Sequence, residues 1–113
     1  TIGLKWGRHF RISNEFKAIV GRDESENESL RQFAHCDDYI FELEDEKGPT
    51  VILKVYNPDE EVLKIAAGLV QRFSKKHFSP AIEVIYWQVS QENATHRVLA
   101  KLLDDNQIEK MRI

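Results

Sequence analysis

One cysteine, one methionine and three prolines are spread over 113 residues. Cys36 on its own can form no internal disulfide, so the fold must be held by its core, and a reduced, cytoplasmic setting is the expectation. No apolar run approaches the roughly 20 residues that cross a bilayer. No basic-then-apolar leader opens the chain, so neither a membrane partner nor export is expected. Glycine is sparse too, and Gly21 stands outside any G-x-G-x-x-G or Walker spacing, which removes the usual phosphate-cradling loops. What is present is a globular balance of 42% hydrophobic and 31% charged residues, which argues against disorder and suffices for the core of one domain. The chain opens in mid-pattern at Ile2, Leu4 and Trp6. We therefore expect residues 1–113 to be a single domain, the C-terminal part of a longer protein.

The net charge of −3 conceals an uneven distribution. Residues 1–22 carry +4, with Arg8, Arg11, Lys17 and Arg22 among five bases and Glu15 the one acid; residues 23–61 carry −10; residues 62–113 carry +3. If the two ends of the chain lie side by side, an acidic protein acquires a basic face.

Periodicity gives the elements. His9 to Ser13 alternates as a half-buried strand does, with Phe10 and Ile12 inward and His9 and Arg11 outward, and Phe16 to Val20 completes a hairpin. Gly21 allows a turn, and a helix starts at one of two capping boxes, Asp23 with Glu26 or Ser25 with Glu28. Leu30, Phe33 and Ala34 form its short apolar stripe, and it ends near His35 and Cys36. Tyr39, Phe41 and Leu43 share one face of a third strand. Thr50 to Tyr56 is apolar almost without interruption, as in a central strand covered on both sides. Asn57 as cap and Pro58 in the first turn start the longest helix, whose apolar face is Val62, Ile65, Ala66, Leu69, Val70 and Phe73. Gly68 in mid-helix costs roughly 1 kcal/mol against alanine, so close approach of a neighbour is expected there. Ala81–Val89 and Thr95–Leu103 read as a last hairpin, and Asp104-Asp105-Asn106 caps a short helix carrying Ile108 and Met111. The order β-β-α-β-β-α-β-β-α predicts an α+β domain with a mostly antiparallel sheet.

No catalytic constellation emerges. Helix starts, turns and polar strand faces account for the acids. His35-Cys36-Asp37-Asp38 holds metal-capable side chains without a second cluster at ligand spacing, and reads as a helix end with a buried thiol. His9, His77 and His96 are scattered. No metal and no cofactor are expected.

A resemblance adds to this. Ile19-Val20-Gly21-Arg22-Asp23 with Asn27-Glu28-Ser29-Leu30, then Asp38-Tyr39-Ile40-Phe41, then Asp45-x-x-Gly48-Pro49-Thr50-Val51-Ile52-Leu53-Lys54, resemble the NFACT RNA-binding domain. The stretch from Ala66 to Ser74 and the strand Glu83 to Val89 with Trp87 are similar to its second half. Gly7-Arg8-His9-Phe10-Arg11 makes the chain look closest to the C-terminal domain of PP-loop proteins related to tRNA thiouridylases. Whole NFACT proteins are ribosome-associated quality-control factors. Gly21, Arg22, Asp23, Asn27, Asp45 and Gly48 match the motif, while Leu43 and Lys47 stand where the family commonly has histidines, so no role of those histidines transfers.

The resemblance implies a non-catalytic domain whose partner is RNA, tRNA in the thiouridylase-like case, with an attached catalytic domain in the parent chain. RNA recognition uses positive charge along phosphates and planar groups for unstacked bases. The candidates are Arg8, His9, Arg11, Arg22, Lys54, Lys75 and Lys76, with Trp6 and Trp87 as stacking surfaces. Arg8, Arg11 and Arg22 lead, because none has an evident local partner. Structural readings stand beside these: turn and cap for Gly21, Asp23 and Gly48, helix-end compensation for Lys75 and Lys76, core packing for the tryptophans. The rival class is a protein-interaction or homodimerisation domain without nucleic-acid binding.

Overall fold

The computed structural model describes residues 7–13 and 15–113; the expectations for Ile2, Leu4 and Trp6 lie outside them. Strands β1 (Arg8–Ser13) and β2 (Phe16–Val20) form the first hairpin. Helix α1 (Glu24–Phe33) follows, then β3 (Tyr39–Glu42), β4 (Val51–Lys54), α2 (Glu60–Arg72), β5 (Glu83–Gln88), β6 (His96–Leu99) and α3 (Asp105–Met111). The six strands make one antiparallel sheet in the order β1-β2-β4-β3-β5-β6. The α+β class and the order of elements are those the sequence pattern predicts.

Alternation places Phe10, Ala18, Val20, Phe41, Val51, Leu53 and Val84 on one face of the sheet, where they pack with Val62, Ala66, Leu69 and Val70 of α2 into the main core. The opposite face has a smaller cluster of Ile19, Ile40 and Ile52 under Leu30 of α1, with Trp87 packed against it. β4 is therefore covered on both sides, as its apolar run requires. Gly68 has the close neighbour its position implied: a β-carbon there would lie 2.2 Å from the Lys101 carbonyl oxygen. Residues 100–103 cross α2 at this point, held by the Lys101 N–H donating to the Lys64 carbonyl at 3.0 Å.

Several local readings are corrected. Of the two boxes offered for α1, the helix uses Asp23, whose carboxylate accepts the Glu26 N–H at 2.8 Å. The cap of α2 is Asp59 rather than Asn57, accepting from Val62 N at 2.9 Å. Asn57 instead takes a left-handed backbone, φ 53°, which asparagine tolerates better than most residues. Cys36 is exposed, not buried, because the chain leaves α1 at Ala34 before turning back toward the sheet. The last strand stops at Leu99, and Leu102 is exposed. Gln71, a polar residue of α2, is buried: its Nε2 lies 3.0, 3.1 and 3.1 Å from the carbonyl oxygens of Lys76, Ser79 and Pro80, and its Oε1 accepts from Ile82 N. One amide thus pins the connection from α2 to β5.

The two ends of the chain do meet. Arg112 bridges to Phe10, and the Ile113 N–H donates to the His9 carbonyl at 3.1 Å. No helix among the described residues is long and apolar enough to cross a membrane.

Candidate nucleic-acid interface

The Gly21–Asp23 turn, the start of α1 and the Gly48–Thr50 entry to β4 are tied together by one side chain. Asn27 is buried; its Oδ1 accepts the Thr50 N–H at 3.0 Å and its Nδ2 donates to the Gly48 carbonyl at 3.4 Å. Gly21 is required by this clamp rather than by its φ, because a β-carbon would fall 1.9 Å from Asn27 Oδ1. At Gly48 a β-carbon would fall 2.7 Å from Leu43 Cδ1, the end of a flexible side chain, which would have to shift. Motif residues Gly21, Asn27 and Gly48 therefore build a wall, and Asp23 caps the helix behind it. Asp45 is exposed in the β3–β4 connection, where its charge acts on Arg97.

That wall lines a surface cleft of about 290 Å³, whose cations are Arg8, Arg22, Lys47 and Lys75. Three of the expected RNA-contact residues meet here, and Lys47, assigned no role from sequence, joins them. Among the described residues Arg8, Lys47 and Lys75 have no carboxylate at ion-pairing distance. The Arg8 guanidinium lies 4.9 Å from the centre of the Phe73 ring, which holds its charge at the mouth through a cation–π contact. Asp23 and Glu24 also line the cleft, so its field is mixed at one rim and positive elsewhere.

Arg22 does not stand free, contrary to the sequence expectation. Its guanidinium grips Glu26 through Nε at 2.9 Å and Nη2 at 2.6 Å, and its backbone N–H donates to the same carboxylate at 2.8 Å. The side-chain hydrogen bonds to Arg22 hold the Glu26 carboxyl down at about 2. Lys54 is likewise spent on the buried Asp38 at 2.9 Å, and Lys76 pairs with Glu46 at 2.8 Å. Trp87 is half-buried against the second apolar cluster, so packing accounts for much of its ring.

A second group of cations lies on the outer, α1-bearing face of the sheet. Cross-strand register sets Arg11 opposite Lys17, and Lys17 opposite Lys54. Arg11 and Lys17 are exposed and have no ion-pair partner among the described residues. His9 lies beside them, half-buried; burial, then the charges of Lys17 and Arg22, push its pKa below the ordinary value, so the ring is neutral at physiological pH. Because β1 alternates, Arg8 serves the cleft while His9 and Arg11 serve the outer face, and the two groups form one basic margin around the first hairpin.

The acids of α1 do not oppose this margin as strongly as their number suggests. Arg31 takes hydrogen bonds to Glu28 (2.9 Å), Glu42 (2.7 Å) and Glu24 (3.0 Å), and donates to Thr50 Oγ1 at 2.9 Å. Burial works against its charge, but these three carboxylates hold its pKa above the ordinary value. The i,i+3 spacing of Glu28 and Arg31 is a local signal for one of these pairs, whereas Glu42 reaches Arg31 from another element. At the end of α1, His35, Cys36 and Asp37 offer ligand atoms within 4.8 Å of one another, all exposed.

Among curated proteins no sequence matches the chain. Among solved structures, the C-terminal part of the fibronectin/fibrinogen-binding protein from Streptococcus suis superposes with a TM-score of 0.84 at 18% identity, over 96% of this chain and 50% of that one. Identity that low establishes a common fold, and the chain spans half the length of that structure. A family model described as the NFACT protein RNA binding domain matches residues 7–112. That match takes in both basic groups and the Asn27 clamp, and the chain belongs to this family of RNA-binding domains.

Proposed function

We propose that the chain is a non-catalytic module that holds tRNA, chiefly through the cleft of Arg8, Lys47 and Lys75, and presents it to a catalytic domain of a longer, PP-loop thiouridylase-like parent in the cytoplasm. The observation that carries this is the meeting in one groove, on a protein of net negative charge, of three cations that have no carboxylate partner among the described residues. Phosphates are the ligands such a groove favours, since each neutralised phosphate releases condensed counterions. Arg22 acts here as the positioning residue of the rim, and His9, Arg11 and Lys17 extend the contact around the hairpin. Affinity at physiological salt is modest, with Kd in the range of roughly 10⁻⁴–10⁻⁶ M, because the acidic middle of the chain repels a polyanion. An anisotropy titration with tRNA at low salt tests the proposal. Arg8→Glu/Lys47→Glu/Lys75→Glu should lose at least about tenfold in affinity, and unchanged binding would remove the cleft from the interface.

A protein-docking or homodimer role is the rival, and Tyr56 and Phe78, 86% and 92% exposed, are the side chains that would serve it. A salt-insensitive dimer in sedimentation, with no tRNA affinity, would favour it. A ribosome-associated quality-control parent differs from the first proposal only in the attached chain.

A further inference from the structure

At the other end of the sheet lies a cleft of about 300 Å³ between β3, β5, β6 and the start of α2, near the lower limit for pockets that hold small organic groups. Its wall is aromatic. Tyr86 stacks between Phe41, with ring centres 5.0 Å apart, and His96, at 5.2 Å, and Tyr39 meets it at 6.4 Å. Asn57, Gln88 and Gln91, three amide-bearing residues, also line the cleft. Among the described residues the Asn57 and Gln91 amides have no protein partner, and Gln88 uses only Nε2, on the Asp37 carbonyl at 3.3 Å. Three amide-bearing residues therefore line one cleft with side-chain donors and acceptors to spare. Asn57 is also the described non-glycine residue with a positive φ, the kind of backbone that persists where the surroundings impose it.

The lining contains no Asp, Glu, Lys or Arg, in a chain that is 31% charged. A phosphate would find no cation there, and an aliphatic side chain would leave the amides unsatisfied. A flat, uncharged heterocycle with donors and acceptors along its edge satisfies both rings and amides. Burial, then the neighbouring Tyr39, push the Tyr86 phenol above its ordinary value, so it stays a neutral hydroxyl. The register places Arg11 and Lys17 at this same end of the sheet, though on its opposite, α1-bearing face, since Lys54, the partner of Lys17, follows Leu53, the partner of Tyr39.

We infer that this cleft takes one unstacked nucleobase of the bound RNA, stacked on the outer face of His96, with Asn57, Gln88 and Gln91 reading its edge. The inference rests on the proposed RNA binding and adds to it a sequence-reading element that the cationic cleft cannot supply.

The test compares single-stranded RNA hexamers of each base with an abasic hexamer of the same phosphate count, titrated into the protein at fixed low salt. A base-containing hexamer should bind about fivefold or more tighter than the abasic one. His96→Ala/Gln91→Ala, two exposed positions, should abolish that difference while leaving the abasic affinity unchanged, and His96→Phe, which keeps a flat ring, should retain it. Equal binding of all hexamers by the unmodified protein, or a base preference that His96→Ala/Gln91→Ala keeps, overturns the nucleobase site and leaves phosphate binding standing. Failure to bind any hexamer, abasic included, overturns both.

Discussion

Gly21 and Asn27 show how much of the motif is scaffold. The Asn27 amide satisfies the buried Thr50 N–H, so Asn27→Ala should destabilise the protein by about 1–3 kcal/mol, the cost of orphaning a buried donor. Gly21→Ala should be destabilising too, because its new methyl meets Asn27 Oδ1. Urea melts of both single variants and the double variant should reveal coupling: the cost of Gly21→Ala falls once Asn27 is alanine. Additive costs would mean the two do not share the contact. Asn27 had no role in the sequence because its partner lies 23 positions downstream and is a backbone group. Arg22 was misread for the opposite reason. Its partner Glu26 is local, but the capping pattern had already assigned that carboxylate to the helix start. Since Glu26 is held at about 2 in the folded chain and titrates near 4.5 when free, its contribution is complete above about pH 4.5 and lost as pH falls toward 2. Glu26→Gln should therefore be less stable than the parent at pH 7, and the gap should close over that interval. A gap that persists at pH 2 would place the effect outside the ion pair.

At the scale of elements, the periodic patterns carried most of the information. Phe10 and Ile12 face inward, α2 buries the stripe from Val62 to Val70, and β4 is covered twice, because spacings of 2 and 3.6 residues are local properties of the chain. Gly68 was legible as a crossing point, but not which segment crosses. Gly68→Ala should cost about 1–3 kcal/mol by overpacking against the Lys101 carbonyl, despite the gain of roughly 1 kcal/mol in helix propensity; a chemical melt showing net stabilisation would contradict the packing. Pairings between elements were not legible. The Arg31–Glu42 contact and the meeting of Tyr39, Tyr86 and His96 depend on strand order and register, which no window of the sequence encodes. β1 is the element on which the proposed function turns, since alternation sends Arg8 to the cleft and His9 and Arg11 to the outer face. Below pH 6.5 the folded chain resists protonating His9, so stability should fall as pH drops through that value, and His9→Gln should flatten the dependence.

Across the whole molecule, charge rather than shape separates the two clefts. The Gly21–Gly48 end gathers cations suited to phosphate; on the α2-bearing face the Tyr39–His96 end offers rings and amides without charge; and Glu24 and Glu28 of α1 are paired with Arg31. The chain measures 31 × 29 × 29 Å, so one RNA segment can span both ends. Basic termini were visible in the sequence, but their union was conditional on the ends meeting, which the contact of Arg112 and Ile113 with β1 provides. The most direct measurement is the salt dependence of tRNA affinity for the parent and for Arg8→Gln/Lys47→Gln/Lys75→Gln, with thermal melts confirming that both are folded. Log Kd plotted against log salt should be steep for the parent and shallower by about 2–3 for the variant, one unit for each phosphate contact removed. Parallel lines for the two proteins, or an affinity indifferent to salt, would contradict phosphate binding in this cleft.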